Sequence, residues 1–249
     1  MSMRIDVAPH RGALARRNLT KWRTVVIDAV RASSTIVQAL ASGAERVIPV
    51  ATLVEAMACK RTLESAGGAN GPSPLLGGER RGRRPRTFDL GNSPGEYTAD
   101  VVGGRTIVLT TTNGTRALRA SRDAAETLVG AFLNLPALAG YLARQGGDVM
   151  LAPVGRQGRP VLDDVVCAGM YVDRLLELAP DCQVTPVAWM ACFAYRGYRG
   201  RIVDALRQSP SGEALTRIGF EADLVYCAQV GVCDVVPRLT NGEIRRAQS

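Results

Sequence analysis

Residues 105–120 read RTIVLTTTNGTRALRA, a segment that begins as a strand and ends as a helix. Between the two lie Thr110, Thr111, Thr112, Asn113, Gly114 and Thr115, six small polar residues in a row. A β-branched run followed by a capped, helix-spaced run is one β-α unit. The same alternation extends both ways along the chain. TVVID (24–28), RVIPVA (46–51), ETLVGAF (126–132) and DVMLAPV (148–154) read as strands, and SSTIVQALASG (33–43) and LPALAGYLARQGG (135–147) as helices. TLVEAMACKRTLESAGG (52–68) is an amphipathic helix with Thr52 and Glu55 forming a capping box. Residues 161–179 place Val161, Val165, Ala168, Val172 and Leu175 on one helical stripe. This pattern predicts an α/β fold, with a mixed or mostly parallel sheet flanked by helices on both faces. Beyond residue 186 the chain reads as mostly helical, with a late strand and turn in CDVVPRL and NGEIR. Residues 67–95, rich in Gly, Pro and Arg, read as a long functional loop, because the β-α pattern resumes after them. One domain over residues 1–249 is expected, and a two-lobed version of it would hold its cleft between the lobes.

The 249 residues, 46% hydrophobic and 22% charged, suit an ordinary soluble globular chain. Of the 31 basic residues only Lys21 and Lys60 are lysine, so the net charge of +8 is an arginine charge. With aromatics at 5%, stacking platforms for nucleic acid are scarce, and a small anionic ligand fits the charge better. The longest uncharged run, 127–143, is short and broken by Gly and Pro, which argues against a membrane span. The charged N-terminus lacks the apolar run of an export signal, and the six cysteines include no C-x-x-C pair. A cytoplasmic protein with reduced thiols is expected, without nucleic-acid or membrane partners.

Ligands of open α/β sheets bind beyond the carboxyl ends of the strands. Four polar clusters fall there: Asp28, Arg31, Ser33, Ser34 and Thr35; Glu79 and Arg80 with Asp89, Asn92 and Ser93; Thr112, Asn113, Gly114, Thr115 and Arg116; and a Gly-rich loop leading to Asp163 and Asp164. Hydroxyls and Gly at a helix start let backbone N–H groups and the helix dipole meet an anion, commonly phosphate. The same residues also fit plain strand ends and helix caps. Asp28 is the best single acid, with Asp164 next, and Asp28, Glu79 and Asp164 among hydroxyl oxygens suit a hard cation such as Mg²⁺. Cys167 reads as a packed thiol. Several mechanisms are excluded by pattern: no G-x-G, no Gly-Lys pair, no Cys followed six residues later by Arg, and a single histidine, His10, in a segment that looks mobile.

Taken together, VVIDAVRASSTIVQALASGA, LLGGERRG, FDLGNSPGEYT, TIVLTTTNGTRAL, LDDVVCAGMYVDRL and CDVVPRL resemble the 2-phosphosulfolactate phosphatases, in that family's order, from residue 24 to about 238. The resemblance implies a Mg²⁺-dependent phosphomonoesterase that converts 2-phospho-3-sulfolactate to 3-sulfolactate and phosphate, a step of coenzyme M or sulfolactate metabolism. Within the polar clusters, Asp28, Arg31 and Asp164 are read as the catalytic residues. Ser33, Ser34, Thr35, Arg80, Asn92, Ser93, Thr112, Asn113, Gly114, Thr115 and Arg116 would bind substrate, and Asp28, Glu79 and Asp164 the metal. Such a substrate approaches a charge of about −4 near neutral pH, and planar guanidinium forks such as Arg31, Arg80 and Arg116 suit its oxyanions. Whether Asp28 attacks phosphorus or a metal-bound water does is left open by the sequence. The family pattern often has Asn where this chain has Arg156, Glu where it has Asp163, and an acid near Gly231. A phosphatase for phospholactate or phosphoglycolate, or a phosphometabolite sensor without turnover, is the alternative. A homodimer is the default for such enzymes.

Overall fold

The computed structural model describes residues 2–67 and 72–247; part of the loop read over 67–95, residues 68–71, lies outside them. The described residues form one ten-stranded sheet: β1 (Arg4–Val7), β2 (Trp22–Ile27), β3 (Arg46–Pro49), β4 (Leu75–Gly78), β5 (Thr106–Thr110), β6 (Glu126–Gly130), β7 (Asp148–Pro153), β8 (Gln183–Val184), β9 (Pro237–Thr240) and β10 (Glu243–Arg246). Their spatial order is β4-β5-β3-β10-β9-β6-β2-β7-β1-β8. β4, β5 and β3 are mutually parallel, and so are β6, β2, β7, β1 and β8. The β9–β10 hairpin joins the two blocks through three antiparallel pairings. The predicted α/β fold with a mixed, mostly parallel sheet is therefore what forms. Among the described residues no helix is long and apolar enough to cross a membrane.

Side chains alternate across each strand, as the pleat requires. Val25 and Ile27 of β2, with Val149 and Leu151 of β7, face a core made with the helices Leu135–Gln145, Leu162–Leu178 and Pro186–Gly197. Val26 of β2 and Val129 of β6 point the other way, into a core shared with Val47, Ile107, Leu109 and Ile244. That second core draws on both parallel blocks at once. Ile36, Ala39 and Leu40 of the helix Ala32–Ala41 fill its centre.

The two blocks run in opposite directions across the hairpin. Five strand spacings separate β5 from β2, on the order of 24 Å in a flat sheet. Yet a Cβ placed on Gly114, just beyond β5, would lie 3.0 Å from Asp28 Oδ2, just beyond β2. Only strong coiling closes that gap, and right-handed twist of about 20–25° per strand supplies it.

Three elements differ from the sequence reading. β1 is an inner strand, not mobile chain: Asp6 is buried, accepts from Thr185 Oγ1 at 2.7 Å and pairs with Arg17 at 2.9 Å. His10 caps the following short helix by accepting from Gly12 N at 3.2 Å. The loop read over 67–95 contains β4, whose glycines disguise it. A Cβ at Gly77 would sit 2.3 Å from the Tyr97 hydroxyl, so close approach demands the residue there. The single late strand is a hairpin, turned at Asn241 and Gly242 with φ of 52° and 81°. Positive φ at both corners is the type I′ turn that Asn-Gly favours.

Because Ile244 is fully buried and lies in the core shared by both blocks, Ile244→Ala should lower stability by about 2–4 kcal/mol despite its place near the chain end. Urea unfolding would show the loss as a lower midpoint with an unchanged slope.

Candidate active site

The coiled sheet brings the ends of β2, β4, β5 and β7 around a cleft of about 310 Å³ lined by Asp28, Arg31, Glu79, Asn92, Thr112 and Asn113, among others. A larger cavity, about 1060 Å³, lies at the opposite ends of β2 and β6. Its one acid, Glu126, is engaged by Arg23 at 3.2 Å and Tyr141 at 2.6 Å, and the polar clusters of the strand ends lie elsewhere. The smaller cleft is the one that gathers the acids, arginines and hydroxyls of the strand ends.

Asp28 ends β2 at the floor of the cleft. Its N–H donates to Ser33 Oγ at 2.9 Å, and its Oδ1 accepts only a long 3.4 Å bond from Ala32 N. Burial pushes its carboxyl up to about 7; Asp163 adds to the rise, the Ala32 N–H opposes it, and Glu79 and Arg31 follow with opposite signs. Asp163 and Asp164 open the long helix Leu162–Leu178, where the dipole favours acids. Asp164 accepts from Ala29 N and Gly155 N, both at 2.9 Å, and so clamps the exits of β2 and β7 together. Burial, then Asp163 and Asp28, raise its pKa against those two donors. Asp163 is buried with an Oδ1 that has no hydrogen-bond partner, and burial pushes it up to about 6 against the Ser211 and Ser209 hydroxyls.

Glu79 is fully engaged. Its Oε1 accepts from Thr112 N and Thr112 Oγ1, and its Oε2 from Gly82 N, each at 2.8 Å. Arg31, buried over the Phe220 ring at 4.9 Å, donates to Asp223 at 2.5 Å, Ser93 Oγ at 3.2 Å and the Gly82 carbonyl at 2.8 Å. Asp223 lies on the helix Glu221–Cys227, a contact between distant parts of the chain that no local pattern announces. Ser93 also donates to Asp223, at 2.8 Å.

Other residues expected to touch substrate face the frame instead. Ser33 donates to the Val26 carbonyl, Ser34 to that of Ala29 at 2.7 Å, and Thr35 to that of Asn92 at 2.9 Å. Their hydroxyls are buried and tie the helix start to neighbouring strand ends. Arg80 turns away, donating to the carbonyls of Glu79 and Ala51 and to Thr110 Oγ1. Arg116 is exposed outside the lining, and Thr115 donates back to the Thr111 carbonyl at 3.2 Å. Gly114 serves by lacking a side chain, since a Cβ there would crowd Ala32 at 2.8 Å and Asp28 at 3.0 Å. Asn92 Oδ1 and Thr111 Oγ1 are buried without partners. The lining also includes Arg81, Arg156, Gln157 and Ser211, none of which the sequence reading assigned to substrate. Gly231 packs against Pro136, outside that lining, and Cys167 is a buried thiol pushed well above its usual range by burial.

Asp163 raises the pKa of Asp28, and Asp163 and Asp28 together raise that of Asp164; a cation would relieve that repulsion. Among the described residues no three His, Cys, Asp or Glu side chains form a ready metal set. Mg²⁺ asks less than that, since it keeps several waters and binds through one or two carboxylates. The orphaned Asp163 Oδ1 and the nearly free Asp28 carboxyl fit it.

A family model described as 2-phosphosulpholactate phosphatase matches residues 11–242. Similar curated proteins include one of Caldanaerobacter subterraneus subsp. tengcongensis, 35% identical over 93% of each chain. Others are one of Clostridium acetobutylicum, 34% identical over 97% of this chain and 100% of that one, and one of Symbiobacterium thermophilum, 37% identical over 88% and 92%. Each is named "Probable 2-phosphosulfolactate phosphatase". The chain belongs to this family.

Asp28 and Asp163 keep their protons in the folded chain at pH values where the unfolded chain, with Asp near 3.8, has lost them. Their contribution to stability is therefore full below about pH 4 and is lost as pH rises towards about 7. Asp28→Asn removes the buried ionisation, so it should raise Tm at pH 8, with the gain shrinking towards pH 5. An unchanged Tm at both pH values would mark Asp28 as a cap alone, since Asn caps about as well as Asp.

Proposed function

We propose that this member of the 2-phosphosulfolactate phosphatase family hydrolyses the phosphate monoester of a small anionic 2-hydroxyacid, 2-phospho-3-sulfolactate foremost, with Mg²⁺ as cofactor. The observation that carries the reading is Asp28: an acid at a strand end, open to the cleft, nearly free of hydrogen bonds and pushed up to about 7. A carboxylate placed there can accept a proton from an attacking water. Ionised Asp28 takes a proton from the water that attacks phosphorus. The ester P–O bond breaks on the opposite side of phosphorus, its electron pair stays on the 2-oxygen of the hydroxyacid, and that oxygen takes a proton from solvent while Asp28 releases its own. Asp28 and Asp163 are the acids with an oxygen left for the cation, whereas Glu79 and Asp164 hold backbone donors. Mg²⁺, when bound, draws charge from the phosphoryl oxygens and favours the ionised form of its ligands.

Glu79 and Asp164 act one step back. Glu79 fixes Thr112 and Gly82, and Asp164 fixes Ala29 and Gly155, so together they hold four edges of the cleft in register. Arg31, held by Asp223 and Ser93, keeps positive charge beside Asp28 in a buried setting.

Purified protein should release phosphate from 2-phospho-3-sulfolactate in the presence of Mg²⁺, and more slowly from phospholactate or phosphoglycolate. Asp28→Asn should lower kcat by ~10³ or more, about 4 kcal/mol at 1.36 kcal/mol per decade. An acid-quench search for an aspartyl phosphate should find none; trapping one on Asp28 would make it the nucleophile instead. No phosphate release from any phospho-2-hydroxyacid would end the phosphatase reading.

A further inference from the structure

Two turns of the same construction face the cleft. After β4 the chain reads Arg80-Arg81-Gly82-Arg83, and after β7 Arg156-Gln157-Gly158-Arg159, both of the form R-x-G-R. In each, the flanking arginines form an antiparallel bridge closed by two backbone hydrogen bonds: 3.0 and 3.2 Å in the first, 2.9 and 3.0 Å in the second. In each, both corner residues have positive φ: Arg81 at 54° and Gly82 at 80°, Gln157 at 52° and Gly158 at 75°. These are type I′ turns, in which Asn, Asp or Gly is favoured at the first corner. Arg81 and Gln157 are neither. A large side chain in the left-handed region is uncommon and carries strain, which persists where surrounding structure holds it.

Both turns are fixed from behind. Gly82 donates to Glu79 and its carbonyl accepts from Arg31, while Gly155, which leads into the second turn, donates to Asp164. Arg81, Gly82, Arg156 and Gln157 all line the cleft, and the tips belong to strands from opposite parallel blocks. The guanidiniums of Arg81 and Arg156 are also the least engaged ones in the lining. Arg31 and Arg80 are each held by several acceptors. Among the described residues Arg81 makes no ion pair or side-chain hydrogen bond, and Arg156 donates only to the Pro210 carbonyl, at 3.0 Å.

We infer that the two R-x-G-R turns are a clamp for the acid groups of the substrate that do not react, with Arg81 on one jaw and Arg156 and Gln157 on the other. The acids gathered at the floor suit a cation and the phosphoryl group it accompanies, so the cationic rim is left for carboxylate and sulfonate. Planar guanidinium pairs with either group through two parallel hydrogen bonds. The inference rests on the proposed phosphatase reading and sharpens its specificity: the ligand is a phosphomonoester bearing two further acid groups.

The variants Arg81→Asn and Arg156→Ala test it. Asn suits the first corner of a type I′ turn better than Arg does, so Arg81→Asn should keep or raise Tm. Each variant should raise KM for 2-phospho-3-sulfolactate about tenfold or more, with kcat within a few-fold of wild type. For phosphoglycolate, which lacks the sulfonate, the rise in KM should be clearly smaller. Unchanged KM for both esters, or an equal rise for both, would overturn the clamp. If the wild type turns over neither ester, the phosphatase reading fails while the clamp stays testable by calorimetry with 3-sulfolactate. Wild-type binding weakened tenfold in both variants would support the clamp, and no wild-type binding, or binding unchanged in the variants, would refute it.

Discussion

The structure depends on one closure: the end of β5 must reach the end of β2. Two parallel blocks of opposite direction meet only through a hairpin of four-residue strands, so the sheet has to coil for Gly114 to touch Asp28. The helix Ala32–Ala41 sits in the concavity that results, with eight of its ten residues buried. An apolar helix that is covered on most sides needs partners from both blocks, and the core it centres on draws Val26 and Val129 from one and Val47, Ile107 and Leu109 from the other. Burial then dictates its first turn. Hydroxyls buried at a helix start must find acceptors or cost roughly 1–3 kcal/mol each. Ser33, Ser34 and Thr35 find them in carbonyls of the adjoining strand exit and loop.

This explains which parts of the molecule could be read from the chain. Strands with β-branched runs and helices with caps were legible because their signals are local: Thr52 does accept from Glu55 N at 3.0 Å. β1 and β4 were not. β1 is four residues long with a buried Asp6 at its centre, whose partners Arg17 and Thr185 lie 11 and 179 residues away. β4 ends in two glycines that low strand propensity disfavours, and they are there because Tyr97 and the Thr110 carbonyl approach too closely for a Cβ.

The cleft shows the same division at the scale of single side chains. Residue type was legible: acids, arginines and hydroxyls at strand ends. Direction was not. Thr112 uses both its N–H and its hydroxyl on Glu79, so half of what looked like an anion cradle is a brace for the cradle's other wall. Asp223, which holds Arg31, sits 192 residues from it on a short helix that carries no motif.

Two adjacent pairs make the point most sharply. Asp163 and Asp164 differ by about 100° of helix rotation, so one carboxyl reaches two backbone amides while its neighbour keeps an oxygen without a partner. Arg80 and Arg81 differ by a turn of the backbone: the first closes the bridge and points into the frame, the second takes the left-handed corner and lines the cleft. In each pair the two residues are chemically equivalent on paper. One ties down the frame and the other keeps a polar group without a partner, because a buried polar site needs its supporting hydrogen bonds satisfied before any group in it can stay free. A cluster of like residues at a strand end therefore marks a site without saying which member acts, and the backbone conformation of each residue decides it.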